Sequence, residues 1–335
     1  MKITICGGGS LGHVCIGVLS SQENIEVSIL TSKPEKWNHR VRVYDCNHKD
    51  YDGSLARISS NPKDVIPCAD IIFFCLPGFA IKEELKKIKP FLTDKSIVGT
   101  IVSSTGFFFF AHEILGNNVK LFGFQRVPFI ARIVEYGQSA NLLGYKSSLK
   151  IAVENIEGKE HFRQLIENIF ITPTSLLSSF YEASLTNSNP ILHTGRLYSM
   201  WKDWNGEFYD HNILFYKEWT VEASEILIKM DAEFMKLLAV LHVSKEAVPS
   251  LLDYYESYDS QSLCNKIKNI PAFQSITSPM KKTEKGWIPD FGSRYFTEDF
   301  PYGLFFIKRL CDENGIDAPI INKVYAWGIR KCVNQ

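Results

Sequence analysis

Ile3-Thr4-Ile5-Cys6-Gly7-Gly8-Gly9-Ser10-Leu11-Gly12, at the start of the chain, decides the reading of its fold. The apolar run at residues 3–6 has the length of a buried strand. It opens directly into Gly7-Gly8-Gly9-Ser10-Leu11-Gly12, which fits G-x-G-x-x-G, and an amphipathic segment at 11–21 follows. In such a loop the first glycine permits a tight turn and the second lets the backbone approach a pyrophosphate. The third lets helix and strand pack closely. The helix start then presents free N–H groups and a partial positive charge to the phosphates. A second apolar run at 27–30 completes a βαβ unit. Strand, loop, helix and strand together predict a Rossmann dinucleotide site built from Gly7, Gly9, Ser10, Leu11 and Gly12.

The end of the second strand bears on which dinucleotide. Sites for NAD usually carry Asp or Glu there, which bonds the ribose 2′-OH and repels a 2′-phosphate. Here the strand runs into Thr31-Ser32-Lys33, hydroxyls and an ammonium that suit a 2′-phosphate through charge-assisted hydrogen bonds. NADP is therefore the favoured cofactor, with NAD as the alternative. Leu76-Pro77-Gly78 follows the apolar run at 71–75 and marks a second cofactor neighbour, because ligands of such sheets sit at the carboxyl ends of strands.

Working outward, apolar runs at 96–102, 121–124, 149–153 and 171–174 read as further strands. Helices are expected at 11–21, 81–89 and 159–169, with Pro90 closing the second of these. Beyond about Phe180 the period becomes helical. Residues 211–241 read as one long helix, 245–257, 302–314 and 319–331 as others, and 271–286 as a linker. Gly315 suits a left-handed cap. The expected architecture is an α/β Rossmann domain with a doubly wound, mainly parallel sheet (residues 1–178), followed by an all-α domain (residues 179–335).

The 335 residues allow two cores, at roughly 150 residues per domain. Lys+Arg and Asp+Glu balance at 37 each, so no global field recruits nucleic acid or an anionic membrane. The eight cysteines form no C-x-x-C pair, which argues against a zinc site or disulfide framework and fits a reducing compartment. No metal is expected. No cleavable secretion signal or membrane-length apolar run is apparent, so the expected location is cytoplasmic. The expected partners are small-molecule substrates, and a homodimer remains open.

Two later segments carry chemistry. In Asn187-Ser188-Asn189-Pro190-Ile191-Leu192-His193-Thr194-Gly195-Arg196, Asn189 suits a helix cap and Pro190 the first turn. His193 and Arg196 then fall on a similar face. The second is Asp290-Phe291-Gly292-Ser293-Arg294-Tyr295-Phe296-Thr297-Glu298-Asp299-Phe300-Pro301-Tyr302-Gly303, where Thr297 or Asp299 could cap the next helix.

With the glycine loop, with Phe124-Gln125-Arg126-Val127-Pro128 and with Arg132-Ile133-Val134-Glu135-Tyr136-Gly137, these segments resemble the octopine/nopaline (opine) dehydrogenase family over essentially the whole chain. The resemblance implies a Rossmann domain joined to a helical one, with the active site in the cleft between. It implies an NAD(P)H-dependent reductive condensation of an L-amino acid amine with a 2-oxo acid such as pyruvate, through an imine. On the matching positions His193 is the catalytic histidine and Asp299 its carboxylate partner. Arg294 holds a substrate carboxylate, and Gln125 and Arg196 are further candidate substrate-binding residues. The chemistry is consistent, since an imidazole titrating near neutrality moves protons both ways and a paired carboxylate fixes its tautomer. Two rival readings remain: a carbonyl reductase acting on a 2-oxo acid or ketopantoate-like substrate, and a dinucleotide sensor without turnover. Tyr198, Trp201, Trp204 and Tyr209 are aromatic candidates for a side-chain pocket.

Overall fold

The structure, a computed structural model, describes residues 1–333. It divides into two compact units, Met1–Ser184 and a second from Leu185 onward. The division falls a few residues past the expected 178 because a short helix, Phe180–Ser184, packs with the first unit.

Among the described residues the first unit holds eleven strands. They are β1 (Lys2–Cys6), β2 (Glu26–Leu30), β3 (Arg40–Asp45), β4 (Tyr51–Ser59), β5 (Ile71–Phe74), β6 (Ile97–Thr100), β7 (Lys120–Phe124), β8 (Phe129–Glu135), β9 (Ser139–Tyr145), β10 (Leu149–Glu154) and β11 (Thr174–Leu176). All lie in one sheet of order β11-β10-β7-β6-β5-β1-β2-β4-β3-β9-β8. From β7 to β4 every pairing is parallel, a doubly wound core in which β7, β6, β5, β1 and β2 lie at the expected apolar runs and β4 is an addition. Ile5, Ile29 and Phe73 lie side by side across it and are fully buried.

Five helices accompany the sheet: α1 (Ser10–Ser20), α2 (Gly78–Ile88), α3 (Phe107–Leu115), α4 (Lys159–Phe170) and α5 (Phe180–Ser184). Outside the core the sheet is mixed. β3 runs antiparallel to β4 and β8 antiparallel to β9, while β9 joins β3 in parallel. This extension was not expected, and α1 packs on it as well as on the core, which is why α1 is buried from Gly12 to Leu19. The strand expected at 171–174 lies instead at β11. Ile171 takes a left-handed conformation (φ 51°) that ends α4 and turns the chain first.

The second unit comprises α6 (Asn189–Trp201), α7 (Val221–Val240), α8 (Leu251–Tyr254), α9 (Ser260–Lys268), α10 (Arg294–Thr297), α11 (Phe305–Glu313) and α12 (Pro319–Val333). The long helix expected from 211 starts only at Val221, where the Thr220 hydroxyl accepts from the Ala223 N–H. Residues 211–220 form an irregular turn tied by Phe215 N–H to the Ile276 carbonyl. The expected helix at 245–257 shrinks to α8, and the expected linker contains a hairpin, β12 (Met280–Thr283) with β13 (Gly286–Pro289). The unit is mainly, and not wholly, helical. Gly315 takes the left-handed conformation after α11 as expected (φ 65°). Among the described residues no helix is long and apolar enough to cross a membrane.

Candidate functional site

In the first unit the ends of four strands, β1, β2, β4 and β5, meet at the carboxyl edge of the parallel core. Gly7 N–H donates to the Leu30 carbonyl (3.1 Å), Cys75 N–H to Cys6 (2.9 Å) and Thr31 N–H to Ser59 (2.9 Å). These bonds register the glycine loop against the turns after β2 and β5. Gly7 has φ +116°, and a Cβ there would lie 2.6 Å from the Cys75 carbonyl oxygen. At Gly12 an added Cβ would lie 2.2 Å from the Gly7 carbonyl oxygen. Both are therefore demanded by the protein's own packing.

Gly9 is different. A Cβ on it would meet no atom within 4 Å, so no protein contact requires glycine there. It occupies the N-cap of α1 with no side-chain cap, and the first turn holds no acidic residue. Open space before an uncapped helix start fits the pyrophosphate of a dinucleotide, with Ser10, Leu11 and Gly12 supplying N–H groups.

The loop is bolted from beneath by His13, which is fully buried. Gly137 N–H donates to His13 Nε2 (2.7 Å), so the ring proton sits on Nδ1 and is donated to the Gly9 carbonyl (2.9 Å). Burial pushes this imidazole below its ordinary pKa, against a smaller opposing effect of the Gly9 bond. Trp37 stacks on it at 4.3 Å, and the Tyr136 hydroxyl lies 2.7 Å from where a Gly8 Cβ would be. At the end of β2 Thr31 is buried, whereas Ser32 and Lys33 are exposed. Lys33 Nζ stands 6.0 Å from the centre of the Tyr136 ring. Leu76 and Pro77 are half-buried, and Pro77 precedes the first turn of α2.

In the second unit the structure brings His193 and Asp299 together from 106 residues apart, with Nδ1 and Oδ2 at 2.8 Å. Pro190 stands in the first turn of α6 as its locked φ favours, one residue after Asn189 and two after Ser188, which holds the cap position. His193 is thereby fixed one turn inside. Asp299 opens a π-helical turn, Phe300–Leu304, and its carboxylate makes no cap bond. Gly303 lets this turn press on α6, since a Cβ on it would lie 2.7 Å from the Pro190 ring. The His193 ring packs on Tyr295 (4.7 Å) and edge-on to Phe215 (5.6 Å). Its Nε2 lies 3.0 Å from the Tyr216 hydroxyl, a partner the sequence did not announce because residue 216 reads as part of a helix face.

The remaining candidates are distributed differently from expectation. Arg196 is only 2% exposed, and its guanidinium is engaged by the protein itself. Nε donates to the Phe215 carbonyl (3.1 Å), Nη2 donates to that of Glu218 (2.7 Å), and the group lies over Trp219. Desolvation lowers its pKa to about 10, so it stays charged at neutral pH. Through these two bonds Arg196 clamps the irregular turn that carries Tyr216. Arg294 is 81% exposed by side chain and holds Glu298 through two 2.8 Å bonds. Gln125 lies in the first unit, just after β7, where Nε2 donates to the Glu182 carbonyl (3.2 Å). Trp201 and Tyr198 are core residues, whereas Trp204 and Tyr209 are half-buried.

A glycine-loop nucleotide unit and a helical unit carrying a histidine–carboxylate pair define a class of nucleotide-dependent oxidoreductases. Comparison with known proteins narrows it. Residues 176–331 match the model of the NAD/NADP octopine/nopaline dehydrogenase alpha-helical domain. The chain is 27% identical over 360 residues to the opine dehydrogenase of Haliotis discus hannai, covering 98% of this chain and 89% of that relative. It is 26% identical over 364 residues to the octopine dehydrogenase of Mizuhopecten yessoensis, covering 99% and 90%. A solved octopine dehydrogenase with NADH and L-arginine shares the fold with a TM-score of 0.86 at 23% identity, over 99% of this chain and 89% of that one. The chain is similar to the octopine/nopaline (opine) dehydrogenase family along nearly its whole length, and is an oxidoreductase that uses a nicotinamide dinucleotide.

Proposed function

We propose that this protein joins the amine of an L-amino acid to the carbonyl of a 2-oxo acid such as pyruvate, and reduces the resulting imine with NADPH in preference to NADH. The observation that carries the reading is the His193–Asp299 pair, placed by separate elements within the region that matches the family's helical domain. The relatives' names, opine and octopine dehydrogenase, supply the reaction class.

The condensation needs one proton moved twice. Neutral His193 takes a proton from the substrate ammonium, freeing the amine to attack the oxo carbon. Imidazolium then returns it to the carbinolamine hydroxyl, which leaves as water and leaves an iminium. Asp299 holds the ring in the Nδ1–H tautomer and stabilises the charged intermediate stage. Bound reduced dinucleotide supplies the hydride that completes the reaction. In the first unit Gly7, Gly9, Ser10, Leu11 and Gly12 would hold the pyrophosphate, with Leu76 and Pro77 alongside. Thr31, Ser32 and Lys33 favour NADPH by their lack of a carboxylate. Arg294 would hold a substrate carboxylate in the fork that now grips Glu298, because both partners are planar carboxylates. Gln125 is a further candidate contact to substrate.

The test is oxidation of NADPH and of NADH by purified enzyme with pyruvate, with and without each amino acid. Turnover is expected only when an amine is present. Equal turnover on the oxo acid alone would establish a simple carbonyl reductase instead. His193→Ala should keep dinucleotide binding and lose at least about a hundredfold in kcat.

A further inference from the structure

Both nitrogens of His193 are occupied. The Asp299 carboxylate accepts from Nδ1–H (2.8 Å), and the Tyr216 hydroxyl lies 3.0 Å from Nε2. With the proton on Nδ1, Tyr216 O–H donates to Nε2. Once the ring is protonated, the same oxygen accepts from Nε2–H, since a hydroxyl carries both a donor and lone pairs. We infer that Tyr216 is a positioning residue for the proton shuttle, holding Nε2 of His193 in both protonation states until a substrate group replaces it on that nitrogen, and so setting the pH at which the substrate-free ring changes charge. This rests on the reading of His193 as the acid–base group.

The hydroxyl's location is fixed independently of His193. The Tyr216 ring stacks on Phe273 at 4.3 Å and lies parallel to Trp219 at 6.2 Å. Trp219 Nε1–H is itself held by the Ser224 hydroxyl (3.0 Å). Arg196 grips the carbonyls of Phe215 and Glu218 on either side, so the turn bearing Tyr216 is anchored to α6, the helix that carries His193. The phenol is 7% exposed, and burial, with Tyr295, Tyr255 and Asp299 adding to it, raises its pKa above the ordinary value. It therefore exchanges donor and acceptor roles without ionising. The titratable groups facing this pair are Asp299 and Tyr295 toward His193, and Tyr255, Tyr295 and Asp299 toward Tyr216.

A hydrogen bond to an ionised partner is roughly twice as strong as a neutral one. Losing the hydroxyl therefore costs imidazolium more than imidazole, and the ring should protonate at lower pH. The experiment is a pH titration of Tyr216→Phe against wild type. It follows the labelled His193 imidazole by NMR, with its signal assigned through His193→Gln, and the acid limb of kcat/KM for the amine. Both midpoints should fall by about half to one pH unit, while KM for the 2-oxo acid moves less than about threefold. Coincident midpoints in a folded Tyr216→Phe protein would overturn the assignment, because packing alone would not move them. If phenylalanine disturbs the stack, 3-fluorotyrosine at position 216 keeps the hydroxyl but makes it a poorer acceptor. It should shift the midpoints in the same direction, and an unmoved titration again overturns the role. His193→Gln separates this from failure of the underlying reading: if its residual activity keeps the acid limb, His193 is not the shuttle and Tyr216's role falls with it. If the limb vanishes there but is unmoved in Tyr216→Phe, only Tyr216's role is lost.

Discussion

Replacing Gly9 by valine separates cofactor binding from folding in a way that the other motif glycines do not. Gly9 sits at φ −79°, ψ −178°, an extended conformation open to any residue, and nothing lies within 4 Å of an added Cβ. The change should therefore behave as a surface substitution, within about 0.5 kcal/mol, or about 1–2 °C in Tm for a unit of this size. The branched side chain, however, fills the space through which a pyrophosphate would approach the N–H groups of α1. Hydrogen bonds to a charged partner contribute about 1.5–3 kcal/mol each. Losing the equivalent of one or two of them, about 3 kcal/mol, weakens the Kd on the order of a hundredfold. Fluorescence titration with NADPH and with NADH, paired with a thermal melt, measures both halves. Gly12→Ala is the contrast: its Cβ would fall 2.2 Å from the Gly7 carbonyl oxygen, so affinity and Tm should drop together. A folded Gly9→Val protein whose Kd stays within threefold of wild type would refute the reasoning.

Lys33→Glu should weaken NADPH far more than NADH in competition titrations, by tenfold or more on the order of one charge-assisted bond; equal losses would remove the 2′-phosphate contact. His13 has its pKa depressed below the unfolded reference of 6.5, so the unfolded chain binds the extra proton first. Stability should hold above about pH 6.5 and fall as the pH drops through the folded-state value. His13→Gln, which keeps one donor and one acceptor without titrating, should flatten the Tm difference between about pH 7.5 and 5.5; an unchanged pH slope would exclude His13 as its source. Glu298→Gln loosens the exposed clamp on Arg294, a pair worth no more than about 1 kcal/mol. KM for the 2-oxo acid is expected to fall by up to about fivefold, and a rise would mean that Glu298 itself supports the substrate.

The parallel strands from β7 to β2 were legible because they are buried almost throughout and read as apolar runs, as in Ile71–Phe74, whereas β4 is mostly exposed and was not read. The mixed extension was not read, although Arg40–Asp45 alternates exposed and buried residues in plain view. β8 and β9 conceal the same signal behind register shifts at Ile130/Ala131 and Ile133/Glu135. Leu214, Phe215 and Trp219 keep helical spacing with the stripe of α7, yet they pack, Leu214 half-buried and the other two buried, from an irregular turn, so periodicity extended the helix past its Thr220 cap. Of the site, the glycine loop and the identities of His193 and Asp299 were visible. What sequence could not show was that Arg196 bonds the carbonyls of Phe215 and Glu218 and that the Tyr216 hydroxyl meets the imidazole, since both depend on a turn with no local signature.

The pairing of β3 with β9 also has a consequence during synthesis. Arg42 finds its partner Ser139 only after nearly a hundred further residues have been made. At ribosomal rates of about 5–20 residues per second, β3 and β4 wait on the order of 5–20 s with one hydrogen-bonding edge unfilled. An unpaired edge invites strands from other chains. The alternating charges of β3, Arg40 and Arg42 on its exposed face with Asp50 and Asp52 beside them, supply a solvated guard for that interval.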